Sequence, residues 1–184
     1  MAAKQLCFPD LASVYFFVDL ATMMHHQTAP AGTISSWQHS TFGALTPADL
    51  YSAMELRQRV FVVEQNCPYM DADGSDPVAL HLLGWRATDG DTKLVAYARL
   101  FAPGVKYAEA SIGRVVTHPD FRRTGAGVEL MTESIRLVEQ NGWGSGIRIA
   151  AQMYLEQFYC RFGFRRVTAP YTEDDIWHVD MLRG

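Results

Sequence analysis

The sequence predicts a mixed α/β fold, helices layered on a sheet within one domain, and three observations carry that prediction. The chain has 184 residues, 48% of them hydrophobic and 12% aromatic, which is enough for one substantial core and too little for two independent enzyme domains. From Thr46 onward the apolar spacing switches between helical and strand periods in the order helix, three strands, helix, strand, helix, two strands. A glycine-rich turn, Arg122-Arg-Thr-Gly-Ala-Gly127, stands where a strand gives way to a helix. This order is not that of a regular doubly wound βαβ sheet.

Residues 1–35 differ from the rest and are expected to form an N-terminal appendage and linker, leaving 36–184 as the folded domain. Leu11 to Met24 is apolar but too short for a membrane span and is interrupted by Asp19, while Gln27 to Ser36 has the small, polar composition of a linker. Met23 and Met24 are alternative starts. The first helix opens at Thr46-Pro-Ala-Asp49, where a hydroxyl caps, a proline occupies the first turn and a carboxylate follows three residues on. Its stripe of Leu50, Ala53, Met54, Val60 and Phe61 runs out near Glu64, before a turn-rich stretch from Asn66 to Pro77. Leu80 to Trp85, Leu94 to Phe101 and Ser111 to Thr117 then read as antiparallel strands, the first two as a hairpin. Val128, Met131, Ile135 and Val138 give a second helix that stops at Asn141-Gly142. Ile147 to Ala151 is the next strand and Tyr154 to Phe162 the next helix, ended by Gly163. Phe164 to Val167 and Ile176 to Met181 close the order as a strand pair.

Charge and cysteine usage narrow the partners. Sixteen basic against twenty acidic residues give a net charge of −4 with no basic run longer than a pair, so neither nucleic acid nor a membrane surface is an expected partner. Cys7, Cys67 and Cys160 are widely spaced and odd in number, which suits a reducing compartment and a cytoplasmic location. No metal is expected. The Asp71-Ala-Asp-Gly-Ser-Asp76 run has its glycine fourth rather than sixth and Leu82 where a calcium loop needs glutamate, and His25, His26, His39, His118 and His178 share no ligand spacing.

The turn wants an anion. Free N–H groups and the positive end of a helix dipole converge there, Gly125 and Gly127 allow close approach, and Arg122 and Arg123 add charge. It is not a nucleotide P-loop, because Val128-Glu129 stands where lysine and a hydroxyl belong, and a dinucleotide turn is disfavoured by Leu130 in place of a third small residue.

Ile112-Gly-Arg-Val-Val-Thr-His-Pro119 followed by Arg122-x-x-Gly125-x-Gly127 resembles the acetyl-CoA signature of the GNAT superfamily of N-acetyltransferases, and Phe158-Tyr-Cys-Arg-Phe-Gly-Phe164 is similar to that family's later helix and exit. Arg57 to Tyr69, with Asp71-x-Asp73-Gly74 and His81 to Trp85, resembles its ElaA-like subgroup. The resemblance spans roughly residue 37 to the C-terminus and departs from many members only in Arg122-Arg123 before the glycines. It implies a sheet splayed between its fourth and fifth core strands, acetyl-CoA in the gap along Val115, Val116 and Thr117, and the pyrophosphate on Arg122, Arg123, Thr124, Gly125, Ala126 and Gly127. The reaction implied is acetyl transfer to a primary amine by direct attack in a ternary complex. Tyr159 is then the acid for the leaving thiolate or simply a core aromatic, and Glu64 and His81 are candidate bases or structural residues. Asp71 to Asp76, Glu64 and Glu173-Asp-Asp175 read as an acidic mouth for a cationic amine, or as solvated turns. A homodimer through sheet edges is one form the family offers. Two rival readings stay open: a noncatalytic acyl-CoA-binding regulator, and an acyl-homoserine lactone synthase-like enzyme.

Overall fold

Thr46 caps the first helix as expected. In the computed structural model, which describes residues 33–88, 90–144 and 146–184, its hydroxyl accepts from the Asp49 amide at 3.1 Å and the Asp49 carboxylate accepts from the Thr46 amide at 3.2 Å. This reciprocal box starts α1, Pro47–Arg57. The helix does not end there but widens into a π-helical segment, Gln58–Glu64, with Gln65 N–H donating to Val60 O and Cys67 N–H to Val62 O. Such widening re-aims side chains and recurs at functional sites.

The sheet is built from β1 (Ser36–Thr41), β2 (Leu80–Thr88), β3 (Asp91–Phe101), β4 (Ala110–Thr117), β5 (Ile147–Gln152), β6 (Arg165–Arg166), β7 (Tyr171–Glu173) and β8 (Ile176–Arg183). The order is β1-β2-β3-β4-β5-β8-β6, with β7 also on β8. Neighbours are antiparallel except β4 and β5. One face is covered by α1 and its π segment, where Ala53, Leu56 and Val60 pack on Leu83, Leu94, Tyr97 and Val116. The other carries α2, Ala126–Gln140, which buries Leu130, Met131, Leu137 and Val138, and the short α3, Glu156–Cys160. Coverage of both faces explains why β3 is an unbroken buried run from Leu94 onward rather than an alternating one.

Three expectations need correction. The sequence reading offered Leu11 to Val18, outside the described residues, as a strand or a helix face but placed no strand between the linker and Thr46, yet Ser36–Thr41 pairs with β2 from Ser36↔Trp85 to Thr41↔Leu80; an edge strand with Trp37 as its one large apolar side chain leaves little pattern. The helix expected from Tyr154 to Phe162 is a 3-10 turn, Met153–Leu155, followed by the five residues of α3. The strand of the penultimate segment is shortened to Arg165–Arg166, with Val167 N–H adding one bond to Asp180 O at 2.9 Å, and β7 pairs with β8 beyond it. The expected appendage lies largely outside the described residues, but Thr33 and Ile34 are buried, and Ile34 joins the main core. No helix among the described residues is long and apolar enough to cross a membrane.

Between β4 and β5 the sheet opens as expected. Only Ala110↔Ile147 and Ser111↔Arg148 pair, after which the two strands part.

Candidate active site

The opening is shaped by an irregularity in β4. Tyr97 pairs with Val116 but Arg99 with Gly113, so three steps along β4 match two along β3, and Arg114 takes a left-handed φ of 50°. This is a β-bulge, which twists the strand and redirects its exposed edge. A non-glycine residue held there needs external support. Arg114 Nε donates to Asp71 at 2.6 Å, and its guanidinium lies over the rings of Phe61 and Tyr69 at 5.9 and 5.6 Å.

Beside the bulge lies a cavity of about 820 Å³. Its walls are β4 from Ser111 to Thr117, the Ile149, Ala150 and Gln152 side of β5, the π-helical Val60, Phe61 and Glu64, and Tyr159 of α3. The glycine-rich turn closes one end through Arg122, Arg123, Gly125 and Gly127. Gly125 has φ 100°, a conformation that side chains resist. At Gly127 a Cβ would make only ordinary contacts, with Phe158 at 3.7 Å and Thr117 at 3.9 Å. The first helical amide to find a backbone partner is that of Val128, donating to Gly125 O at 2.9 Å, as expected of a helix start that leaves its first N–H groups without intrahelical partners. Thr33 braces this turn, its hydroxyl donating to Thr124 O at 2.6 Å and its amide to Glu129 at 2.8 Å.

The sequence-predicted residues divide. Val115, Val116, Thr117, Arg122, Arg123, Gly125, Gly127, Glu64 and Tyr159 all border the one cavity, and Thr124 and Ala126 lie within the turn that closes it. Glu64 holds Arg122 in a two-pronged ion pair at 2.7 and 2.9 Å, so its carboxylate is committed to the turn rather than held out toward an amine. His81 does not reach the cavity. It is fully buried, with Nδ1 2.7 Å from the Tyr97 hydroxyl and Nε2 3.0 Å from Asp76 O, and burial pushes its pKa down. The imidazole therefore serves the core, where both of its nitrogens are engaged.

Tyr159 is buried against the edges of Phe158 and Phe164, at 5.1 and 6.1 Å. Burial, with a smaller contribution from Tyr154, pushes its phenol above the ordinary tyrosine range, so it stays protonated. Its hydroxyl makes no hydrogen bond among the described residues.

The acidic loop is not the cation lure the sequence suggested. Arg57, wholly buried, donates to Asp71 and Asp76, each at 2.7 Å, and Arg99 grips Asp73 at 2.7 and 2.8 Å and Asp76 at 3.0 Å. With Arg114, three guanidiniums neutralise three carboxylates. Burial alone would raise the Asp73 and Asp76 carboxyls, but hydrogen bonds from Arg99 and Arg57 respectively outweigh it and hold both below the usual range. Glu173 and Asp174 do border the cavity. The sequence reading missed Arg57, Arg99 and Arg114. Their signal was arginine inside apolar runs, which demands a buried carboxylate partner. Among the described residues no group of three or more His, Cys, Asp or Glu side chains could hold a metal ion.

A sheet parted between parallel strands, with a glycine-rich turn and helix N-terminus at the mouth of the gap, is the architecture of an acyl-CoA transferase class of protein. Residues 83–183 match the acetyltransferase (GNAT) domain family. The chain is 38% identical to protein ElaA of Escherichia coli over 80% of this chain and 95% of that protein. Among solved structures it is similar to an acyl-CoA N-acyltransferase from Pseudomonas aeruginosa, with a TM-score of 0.74 at 40% identity over 81% of this chain and 99% of that one. The E. coli ElaA structure gives the same TM-score, 0.74, at 36% identity over 81% and 99%. The chain belongs to the GNAT acetyltransferase family, in its ElaA-like group.

Proposed function

We propose that the chain is a cytoplasmic acetyl-CoA-dependent N-acetyltransferase that passes the acetyl group to a primary amine by direct attack in a ternary complex. The observation that carries this reading is the parting of β4 from β5 beside the anion turn, with the Tyr159 phenol in the same wall. Beyond Ser111, β4 pairs only with β3, which leaves its other edge for the amides of a pantetheine arm. The turn from Arg122 to Gly127 would take the pyrophosphate, and a β4 amide near Val115 would polarise the thioester carbonyl as charge develops on its oxygen.

Tyr159 supplies the proton for the leaving sulfur. A phenol is a weak acid, and burial weakens it further, but a thiolate expelled against the same dry wall is destabilised in the same sense, so both pKa values rise together and the proton transfer is not put out of reach. Glu64 acts as the partner that orients Arg122.

A thermal shift with acetyl-CoA, coenzyme A, NAD and ATP at matched concentrations tests the reading. At about 100 times the dissociation constant, a true ligand adds roughly 2.7 kcal/mol of stability. A shift with acetyl-CoA and coenzyme A alone supports the proposal and leads to an amine screen by thiol release. No shift with either in a folded sample refutes it.

A further inference from the structure

Removing a proton from an incoming ammonium needs a basic atom that opens into the cavity. Glu64 and His81 do not offer one, the first being held by Arg122 and the second engaged at both nitrogens inside the core. His178 does. Register sets it opposite Gln152, the last residue of β5. Counting from the Ala110↔Ile147 pair brings Gln152 level with Val115, to within the one residue the bulge adds, so His178 stands at the height of the thioester-facing amides.

The ring is half-buried and borders the same cavity as Tyr159. Its Nδ1 lies 2.9 Å from Ile176 O. A carbonyl oxygen can only accept, so Nδ1 carries the hydrogen, and the neutral ring has its lone pair on Nε2. No hydrogen bond among the described residues occupies Nε2. Tyr171 stacks on the ring at 6.1 Å and 24°, which fixes its plane.

We infer that His178 is a further catalytic residue, the general base that takes the amine's proton on Nε2. The inference rests on the acetyl-transfer reading above. Nε2 accepts one proton from the substrate ammonium, and the lone pair left on nitrogen forms the C–N bond at the thioester carbonyl. The C–S bond then breaks, and Tyr159 gives its proton to the departing sulfur and recovers one from the new amide nitrogen. His178 finally returns its proton to solvent, so each turnover releases one proton.

The titratable and charged groups on the elements packed around the ring are Tyr171 and Glu173 of β7, Asp174 and Asp175 of the turn into β8, Asp180 and Arg183 of β8, Arg165 and Arg166 of β6, Arg148 of β5 and Tyr107 between β3 and β4. Asp180 is engaged by Arg148 at 3.3 Å and by the Tyr171 hydroxyl at 2.7 Å. Glu173 and Asp174 border the same cavity.

Long-range ¹H–¹⁵N spectra of histidine-labelled protein, with His178→Gln to assign the signal, read the tautomer whatever the amine. A proton on Nδ1 and a bare Nε2 are expected; a proton on Nε2 overturns the inference. The kinetic arm uses acetyl-CoA with tyramine as the probe amine and follows thiol release from about pH 5 to 9. His178→Gln should lose roughly 100-fold in kcat/KM at neutral pH. Its acid limb should move upward, its KM for acetyl-CoA should stay within about two-fold, and added imidazole should restore part of the rate of His178→Ala. An unchanged acid limb in His178→Gln removes the base assignment while leaving acetyl transfer intact. Failure of the wild type to bind acetyl-CoA in the thermal shift removes both.

Discussion

Asp71→Asn takes one charge and almost no volume from the centre of the ion network, and its consequence can be worked from the contacts. The Asp71 carboxylate accepts from Arg57 Nε at 2.7 Å, Arg114 Nε at 2.6 Å and the Tyr69 hydroxyl at 3.0 Å. An asparagine keeps one acceptor oxygen and turns an NH2 group toward a guanidinium. Arg57, with its side chain at 0% exposure, then keeps Asp76 as its one carboxylate, which it already shares with Arg99, beside the main-chain oxygen of residue 71 at 2.9 Å. Removing one partner of a buried ion pair costs about 3–5 kcal/mol, because the remaining charge stays in a poor solvent. The Arg114 contact is a quarter exposed and adds little to that.

At about 2–4 °C per kcal/mol for a chain of this size, the melting temperature should fall by about 6 °C or more. Circular dichroism melts and urea titration at neutral pH measure it. The exposed Arg59–Glu55 pair on the first helix is the control, since Glu55→Gln should stay within the error of the melt. Loss of the Arg114 clamp should also loosen the bulge and raise KM for acetyl-CoA in the folded variant. A fall of less than about 2 °C would refute the view that this network holds the site-bearing loop.

Tyr159→Phe should lower kcat for amine acetylation by roughly 100-fold while acetyl-CoA binding by calorimetry is unchanged. The two turn glycines should separate: Gly125→Ala forces a side chain into φ 100° and should cost about 1–2 kcal/mol in urea titration, whereas Gly127→Ala, whose Cβ meets Phe158 at an ordinary 3.7 Å, should leave stability intact and raise KM for acetyl-CoA. Thr33→Val removes the hydroxyl that donates to Thr124 O and should raise KM for acetyl-CoA severalfold without changing kcat. For pH, Asp73 and Asp76 have folded pKa values below the ordinary 3.8, so their stabilisation is complete above that value and lost as pH falls through the lowered ones. Thermal melts should decline gently once the pH falls below about 6.5, where the unfolded chain charges His81 and His118 while burial in the folded chain opposes it, and fall steeply below about pH 4.

How much of this was legible in the chain depends on the range of the interaction. The Thr46 cap, the strand, turn and helix around Gly125, and the buried run of β3 follow from neighbours within a few residues, and each formed as the sequence predicts. The cavity-facing parts were legible where they share one motif, as Val115 to Gly127 do. The acidic loop was misread because its three arginine partners lie 14 to 43 residues away, with nothing local to announce them. His81 and His178 were equally opaque. Whether a histidine serves the core or a cavity is decided by strand register, since one residue of offset exchanges the two faces.

The open sheet also explains why the site should be coupled to stability. β4 is fixed on one side by β3 and its bulge, and β5 is fixed by β8 along its whole length, from Ile147↔Arg183 to Gln152↔His178. Closing the gap by zipping β4 onto β5 would require breaking one of these ladders, or moving the start of α2, where Gly127 sits against Phe158. The Arg57–Asp71–Arg114 clamp opposes the same motion from the other face. Backbone groups along the β4 edge are thus kept from their natural partners in a partly apolar cleft, at a cost in the free protein. A ligand carrying amides recovers that cost on binding, so acetyl-CoA should protect β4 amides from hydrogen exchange more than those of β2, which lie outside the gap. Equal protection of both strands would mean that the opening is not where the ligand binds.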